Sequence, residues 1–167
     1  MDIQSAIIAL SLILISVAPF YFMIRNNKKK ANQFIQNLQD MASKSNLSIT
    51  QHDVWNNAAI GTDRNMEMVF FVKKTKEGAI QQQIQLDDIQ RTRVVNSSRS
   101  VTTNNGRFNV TDKIELAFSS YDRTKPEILL NFFDVSTDGL SVTKELRMAE
   151  KWSELINTKI GQFSRVN

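Results

Sequence analysis

The stretch Ala6–Ile24, AIIALSLILISVAPFYFMI, decides how the chain is organised. It contains nineteen residues without a charged side chain, and its only serines are Ser11 and Ser16. An α-helix of this length spans roughly 28 Å, which approaches the bilayer's hydrocarbon thickness of about 30 Å. A helix of a water-soluble domain normally has a polar face, and this stretch has none. We therefore predict a transmembrane helix.

The flanks of this stretch favour an uncleaved anchor over a cleaved secretory signal. A secretory signal has a basic start and an apolar run of about 7–15 residues. Here the start carries Asp2 and neither Lys nor Arg, and the apolar run is longer. The candidate cleavage site Ser16-Val17-Ala18 is followed by Pro19, which we expect to be a poor position for cleavage.

Basic residues directly after the span predict its orientation. The positive-inside rule retains such a cluster in the cytoplasm, so we expect the N-terminus outside and the rest of the chain in the cytosol. The Asn, Gln, Lys and Ile bias is typical of an AT-rich bacterial genome, which indicates the inner (plasma) membrane. The topology-setting residues are Arg25, Lys28, Lys29 and Lys30.

The composition argues against an enzyme and against a metal or cofactor. The chain has no cysteine and a single histidine, which excludes disulfides, thiol chemistry and a multi-histidine metal site within one chain. Its five glycines do not form a phosphate-binding loop pattern. His52 falls among polar residues of a predicted strand, where we expect a surface role. Asp87 and Asp88 are adjacent, and we expect them to form a turn.

The segment that follows the anchor predicts an amphipathic helix over Ala31–Ser45. Its apolar residues recur at helical spacing, and Asn46 is a plausible stop. Such a helix either lies on the membrane surface or packs on the domain that follows, and we favour packing because its polar face has few charges. We divide the chain into an anchor (1–25), a juxtamembrane helix (26–46) and a β domain with a C-terminal helix (47–167).

From Leu47 the apolar period changes from 3.6 to 2, which predicts about seven short strands. Met66–Val72 is apolar on both faces, so we expect a central strand or one beneath a lid. Lys73–Gly78 reads as a polar hairpin loop, and Ser97–Thr111 as either a long loop or a ragged hairpin extension. Ser136–Gly139 is expected to close the last strand as a turn. A final amphipathic helix, with Trp152 in its apolar stripe, is expected to stop at Gly161.

Seven strands followed by a helix with an inward tryptophan resemble the pleckstrin-homology (PH) superfold. The pattern AAIGTDRNMEMVFFVKK…IQLDDIQRTRVV is similar to the meander of bacterial PH-like domains, and Trp152 in EKWSELI stands where that family has its helix tryptophan. The resemblance covers roughly Leu47 to Gly161. It implies two near-orthogonal antiparallel sheets, as a barrel or sandwich, with the C-terminal helix plugging one open end.

Two functions remain open on the sequence. The first is a protein-interaction module, an adaptor or scaffold that a single-pass anchor presents to a protein partner at the cytoplasmic face. The alternative is a sensor or binder of anionic phospholipid headgroups through basic loops. The PH family typically holds phosphoinositide near its first hairpin loop, but here that loop, Trp55-Asn56-Asn57, has no Lys or Arg. We do not expect nucleic-acid binding, because aromatic residues are not interleaved with the charges. The candidate anionic-surface residues are Lys73, Lys74, Lys76, Arg91 and Arg93.

Overall fold

The computed structural model describes residue 25 and residues 28–103, 106–139, 142 and 144–163. Its first described helix, α1, covers 28–44, within the predicted juxtamembrane segment. Seven strands and two further helices follow: β1 (Ile49–Trp55), β2 (Ala58–Asp63), β3 (Met68–Lys74), β4 (Ala79–Gln85), β5 (Ile89–Thr103), β6 (Gly106–Ser120), β7 (Ile128–Asp134), α2 (Val135–Asp138) and α3 (Glu145–Phe163).

The strands form two antiparallel sheets in sequence order, β1-β2-β3-β4 and β5-β6-β7. The prediction of a mainly-β domain with seven strands and a C-terminal helix is confirmed. Neither sheet closes on itself in the described part of the chain, so the barrel form of the prediction is replaced by two separate sheets. The predicted turns at Asn56-Asn57 and Asp87-Asp88 are also present.

The main core lies between the two sheets. Trp55, at the end of β1, stacks on Phe132 of β7 with ring centroids 4.7 Å apart, and its indole nitrogen donates to the Phe132 carbonyl at 3.3 Å. Phe71 of β3 packs against both rings, with its centroid 5.8 Å from that of Phe132 and 6.2 Å from that of Trp55. The three rings therefore join the first sheet to the second, and each buried ring of this size contributes about 1.5–3 kcal/mol.

Helix α3 connects the edge strand of one sheet with the edge strand of the other. The Trp152 side chain is fully buried, and its indole nitrogen donates to Asp53 of β1 at 2.8 Å. At the next turn of the helix, the Asn157 side chain accepts from the Thr92 backbone amide of β5 at 2.7 Å and donates to its carbonyl at 2.9 Å. Both contacts fix α3 against the core, as the inward tryptophan predicted.

Helix α1 packs on the outer face of the first sheet and makes a second, smaller core. Leu38 and Ala42 are fully buried against Phe70 and Val72 of β3. Because residues alternate along a strand, Val69 and Phe71 face the main core while Phe70 and Val72 face α1. The packing alternative for this helix is confirmed, and β3 is the central strand covered on both faces that the sequence predicts.

The β5–β6 hairpin is longer than the rest of its sheet. β7 pairs with β6 only from Lys113 to Phe118, whereas β5 and β6 continue to pair through Thr103 and Gly106. Of the two alternatives for Ser97–Thr111, the hairpin extension is correct. The turn signal Asn104-Asn105 lies outside the described residues.

Three predicted boundaries are wrong. Lys73 belongs to β3 and not to the following loop, because the strand continues to Lys74. The turn expected at Ser136–Gly139 is instead a short helix, α2, capped by the Asp134 carboxylate, which accepts from the Ser136 amide. Helix α3 runs past Gly161, which has no neighbour near its missing side chain and sits within the last turn.

The predicted transmembrane segment, residues 6–24, lies outside the described residues. Among the helices that the structure describes, none is long and apolar enough to span a bilayer.

Candidate functional site

The five candidate anionic-surface residues do not form one cluster. Lys74 and Lys76 are exposed at the β3–β4 loop, which lies beside α2. Arg91 and Arg93 are exposed on β5, and Arg93 pairs with Glu127, just before β7 begins, at 2.6 Å. Since α2 follows the far end of β7, a strand of seven residues separates the two groups by roughly 20 Å.

Lys73 is buried and takes part in a polar cluster beneath the loop. Its side chain is 2% exposed, and its ammonium donates to Asp138 at 2.6 Å and to Asn131 at 2.7 Å. It lies on the same face of β3 as Val69 and Phe71, which turns it toward the main core. The Lys73 ammonium is therefore not presented to a surface.

This cluster and its neighbours fix four segments to one another. The Asn57 side chain donates to Asp138 at 2.8 Å and to the Lys74 carbonyl at 2.9 Å, and the Lys74 amide donates to the Asn57 carbonyl at 2.7 Å. Neighbouring Asn56 donates to Glu145, which is 1% exposed at the start of α3. The β1–β2 turn, the end of β3 and both C-terminal helices are thereby held in one arrangement.

Two carboxylates in this region have lowered pKa values. Burial raises the pKa of Asp138, but the hydrogen bond from Lys73, further bonds from Asp134 and Asn57, and the ammonium charge leave it below its ordinary value of 3.8. The pKa of Asp134 is also lowered, first by the hydrogen bond from the Ser136 side chain. Both groups carry negative charge at neutral pH, so the Lys73 charge is compensated within the domain.

The start of α1 brings further lysines to the same end of the domain. Lys30 lines a groove together with Lys74, Gly78 and Ala79, so the beginning of α1 lies beside the β3–β4 loop. Lys74 points to this side because it shares the face of β3 with Phe70 and Val72, which α1 covers. We call this surface the lysine-rich end: Lys28, Lys29, Lys30, Lys74 and Lys76.

The lysines of this end are exposed. Within the described part of the chain, none of these five ammonium groups forms an ion pair. Glu77 is exposed in the same loop and offsets part of the charge. At the opposite end, Arg93 pairs with Glu127 and Lys125 pairs with Asp88 at 3.3 Å. Exposed Arg91 and Arg123 at that end also form no ion pair among the described residues, so the excess where α1 begins is five such lysines against two such arginines.

A groove of about 720 Å³ adjoins the lysine-rich end. It lies between the first three turns of α1, the β1–β2 turn and the start of β4. Its volume is within the range of small-molecule sites, and seven of the eleven residues that line it have polar or charged side chains. The residues that line it are Lys30, Gln33, Phe34, Gln36, Asn37, Asn56, Asn57, Val72, Lys74, Gly78 and Ala79.

The sequence could not reveal that α1 and the β3–β4 loop meet. The sequence predicts Lys28–Lys30 as topology-setting residues, but their position beside Lys74 depends on the direction in which α1 crosses the sheet. The burial of Lys73 had a detectable signal, namely that the alternation of Val69 and Phe71 continues onto it. No group of three or more His, Asp or Glu residues that could hold a metal ion occurs among the described residues.

A comparison of the chain with family profiles, curated proteins and solved structures gave no match. Its function is therefore inferred from its own residues.

Proposed function

We propose that the protein is a single-pass membrane protein whose PH-like domain rests with its lysine-rich end on anionic phospholipid headgroups at the cytoplasmic face of the membrane. In this proposal residues 6–24 form the anchor. The division into four and three strands, with a C-terminal helix that inserts Trp152 between the sheets, supports the PH-like assignment.

The observation that carries the proposal is the clustering, where α1 begins, of exposed lysines that form no ion pair with any residue the structure describes. α1 starts directly after the proposed anchor, so Lys28–Lys30 are close to the bilayer in any orientation of the domain. Lys74 and Lys76 come from a distant part of the sequence and still lie on the same end. Each lysine near an anionic leaflet contributes about 1 kcal/mol, which favours the orientation that brings this end to the surface.

The Lys73–Asp138 cluster supports the proposal because it holds the base of the β3–β4 loop in place. It holds α2 and the β1–β2 turn against the end of β3, so the loop that carries Lys74 and Lys76 has a fixed base. Charged groups held in a fixed arrangement lose less conformational entropy on binding than free side chains on a flexible segment.

The test is amine protection in the full-length chain. The protein is mixed with or reconstituted into vesicles of phosphatidylcholine, alone or with phosphatidylglycerol, and treated with a membrane-impermeant acylating reagent. We expect anionic vesicles to slow the acylation of Lys74 and Lys76 and high salt to reverse the effect, because ions screen the attraction. Lys125, which is 54% exposed at the opposite end, is the internal control. Equal acylation of Lys74, Lys76 and Lys125 in anionic vesicles would contradict the proposal.

A protein-interaction module is the second candidate, and the groove beside α1 is the observation that favours it. Its polar lining, including Gln33, Asn37 and Asn56, could satisfy the backbone of a bound polypeptide. A photo-crosslinker at Gln33 in the intact protein in membranes should capture a defined protein if this candidate is correct. The matched control is the same crosslinker at Gln83, an exposed residue of β4.

A further inference from the structure

The extended part of the β5–β6 hairpin forms a two-stranded ribbon that projects from the domain. Six residue pairs, from Ser98–Thr111 to Thr103–Gly106, lie beyond the last pair of β6 with β7. At about 3.3 Å per residue the ribbon is roughly 20 Å long. Because β7 continues into α2 at this same end, the ribbon extends on the side where α2 and the β3–β4 loop lie.

A bulge gives the ribbon one apolar face and one polar face. Ser97 pairs with Lys113 and Ser98 with Thr111, so Asp112 is an extra residue in β6. Between Ile114 and Phe118, the even-numbered residues of β6 face the core. On the ribbon side of the bulge, from residue 106 to residue 111, the even-numbered residues face away from the core. A bulge therefore reverses which side chains of β6 are presented outward.

The outward face of the ribbon is apolar with a basic edge. Val101 is paired directly with Phe108, and Arg99 with Val110, so these four side chains share a face. Phe108 is 52% exposed, and Arg99 is 62% exposed while it pairs with Asp112 at 3.1 Å. The opposite face carries only polar or charged side chains: Ser98, Ser100, Thr102, Arg107, Asn109 and Thr111.

We propose that the apolar face of this ribbon, centred on Phe108, inserts into the interfacial region of the same membrane that the lysine-rich end contacts. The proposal rests on the proposed function, because the lysine-rich end defines the side of the domain that faces lipid. An exposed aromatic ring on the same face as an arginine matches an anionic bilayer interface, where rings lie at the headgroup level and cations meet lipid phosphate. The ribbon thus supplies the hydrophobic contact that the lysines alone do not.

The chain has no native cysteine, so single labels can report on each face of the ribbon. Phe108→Cys places an environment-sensitive fluorophore on the apolar face, and Asn109→Cys places it on the polar face one residue away. Both variants are made in the full-length chain and measured with phosphatidylcholine vesicles that contain phosphatidylglycerol. Lys74 and Lys76 acylation is followed in the same samples.

When vesicles are added, we expect the label at position 108 to gain fluorescence and to be quenched by a lipid-borne quencher. Aqueous iodide should then quench it much less than it does without vesicles. The label at position 109 should remain open to iodide. Iodide access at both positions, with Lys74 and Lys76 still protected, overturns ribbon insertion and leaves the proposed function standing. Iodide access together with unprotected lysines overturns both.

Two further measurements separate insertion from other causes. A fluorescence gain at position 108 that needs no vesicles and rises with protein concentration means that a second copy covers this face, which overturns the proposal. A label at Val110→Cys, on the same face, should lose its lipid quenching when Phe108→Asp is added and keep it with Phe108→Leu. Equal quenching in both variants contradicts a role for the apolar side chain.

Discussion

The ammonium of Lys73 lies 2.6 Å from a carboxylate oxygen of Asp138, and both side chains are almost completely buried, at 2% and 4% exposure. Removing one partner leaves the other charge buried without compensation, which costs about 3–5 kcal/mol. We therefore expect Lys73→Ala to lower the free energy of unfolding by about that amount. Chemical denaturation followed by tryptophan fluorescence measures the effect.

The double variant Lys73→Met, Asp138→Leu is the matched control for this pair. It removes both charges and keeps similar volume, so it should be clearly more stable than Lys73→Ala alone. A double variant that is as unstable as the sum of the two single variants would show that the two groups do not act as a pair.

Acid weakens the same contact with a defined sign. The pKa of Asp138 is held below 3.8 in the folded state, so the unfolded state binds a proton first as the pH falls. The stability from this carboxylate is fully present above the unfolded pKa and is lost as the pH falls through the lowered folded value. The free energy of unfolding, measured from neutral pH down through this acid range, should fall in the wild type. It should fall less in the Lys73→Met, Asp138→Leu variant.

Because α1 packs on the first sheet through Leu38, truncating this side chain should strongly destabilise the domain. This side chain is fully buried in the second core, and Leu→Ala changes in cores cost about 2–5 kcal/mol. Leu38→Ala should lower the free energy of unfolding by an amount in that range, whereas Gln36→Ala, at an exposed position of the same helix, should change it little. A Leu38→Ala variant as stable as the wild type would mean that α1 does not pack on the sheet in solution.

The indole of Trp152 has two separable roles. It fills the core beneath α3, and its nitrogen donates to Asp53 at 2.8 Å, where Lys151 also donates at 2.6 Å. Trp152→Phe keeps most of the volume and should cost about 1–3 kcal/mol, whereas Trp152→Ala should cost about 3–5 kcal/mol. Equal losses in thermal denaturation would show that the hydrogen bond, and not the packing, is the important contribution.

Local periodicity was sufficient to predict most of the fold. The apolar stripe of α1 predicts one buried helix face, and the apolar pattern of β3 predicts a strand buried on both faces. The structure shows that α1 covers the outer face of β3. The sequence of the ribbon is compatible with either a loop or a hairpin, because its Ser and Thr residues give no strong alternation. α2 was missed because its single turn depends on the Asp134 cap and on the bond from Lys73 to Asp138, which are tertiary contacts.

The candidate site was only half predictable for a similar reason. The exposed lysines could be named from the sequence, since Lys74 ends a strong strand and Lys76 lies in the loop after it. Their separation from Arg91 and their proximity to Lys30 depend on how two sheets and a helix are arranged in space. Lys73 shows the remaining difficulty: a lysine at the end of a strand appears solvated until a partner from a distant segment is known.

The most direct measurement of the central claim is the distance between the lysine-rich end and the bilayer in the full-length chain. A donor fluorophore at Ala79→Cys, an exposed position at this end, reports energy transfer to acceptor-labelled lipids. We predict more transfer in vesicles with phosphatidylglycerol than in phosphatidylcholine alone. The double variant Lys74→Glu, Lys76→Glu should abolish this difference. We expect it to weaken the attraction to the anionic surface by about 2 kcal/mol or more, which lowers the population in contact with lipid by roughly 30-fold. The matched reversal Arg91→Glu, Arg123→Glu, with the same charge change at the opposite end, should preserve it. Equal transfer in the two lipid mixtures, or an equal loss in both double variants, would contradict the account.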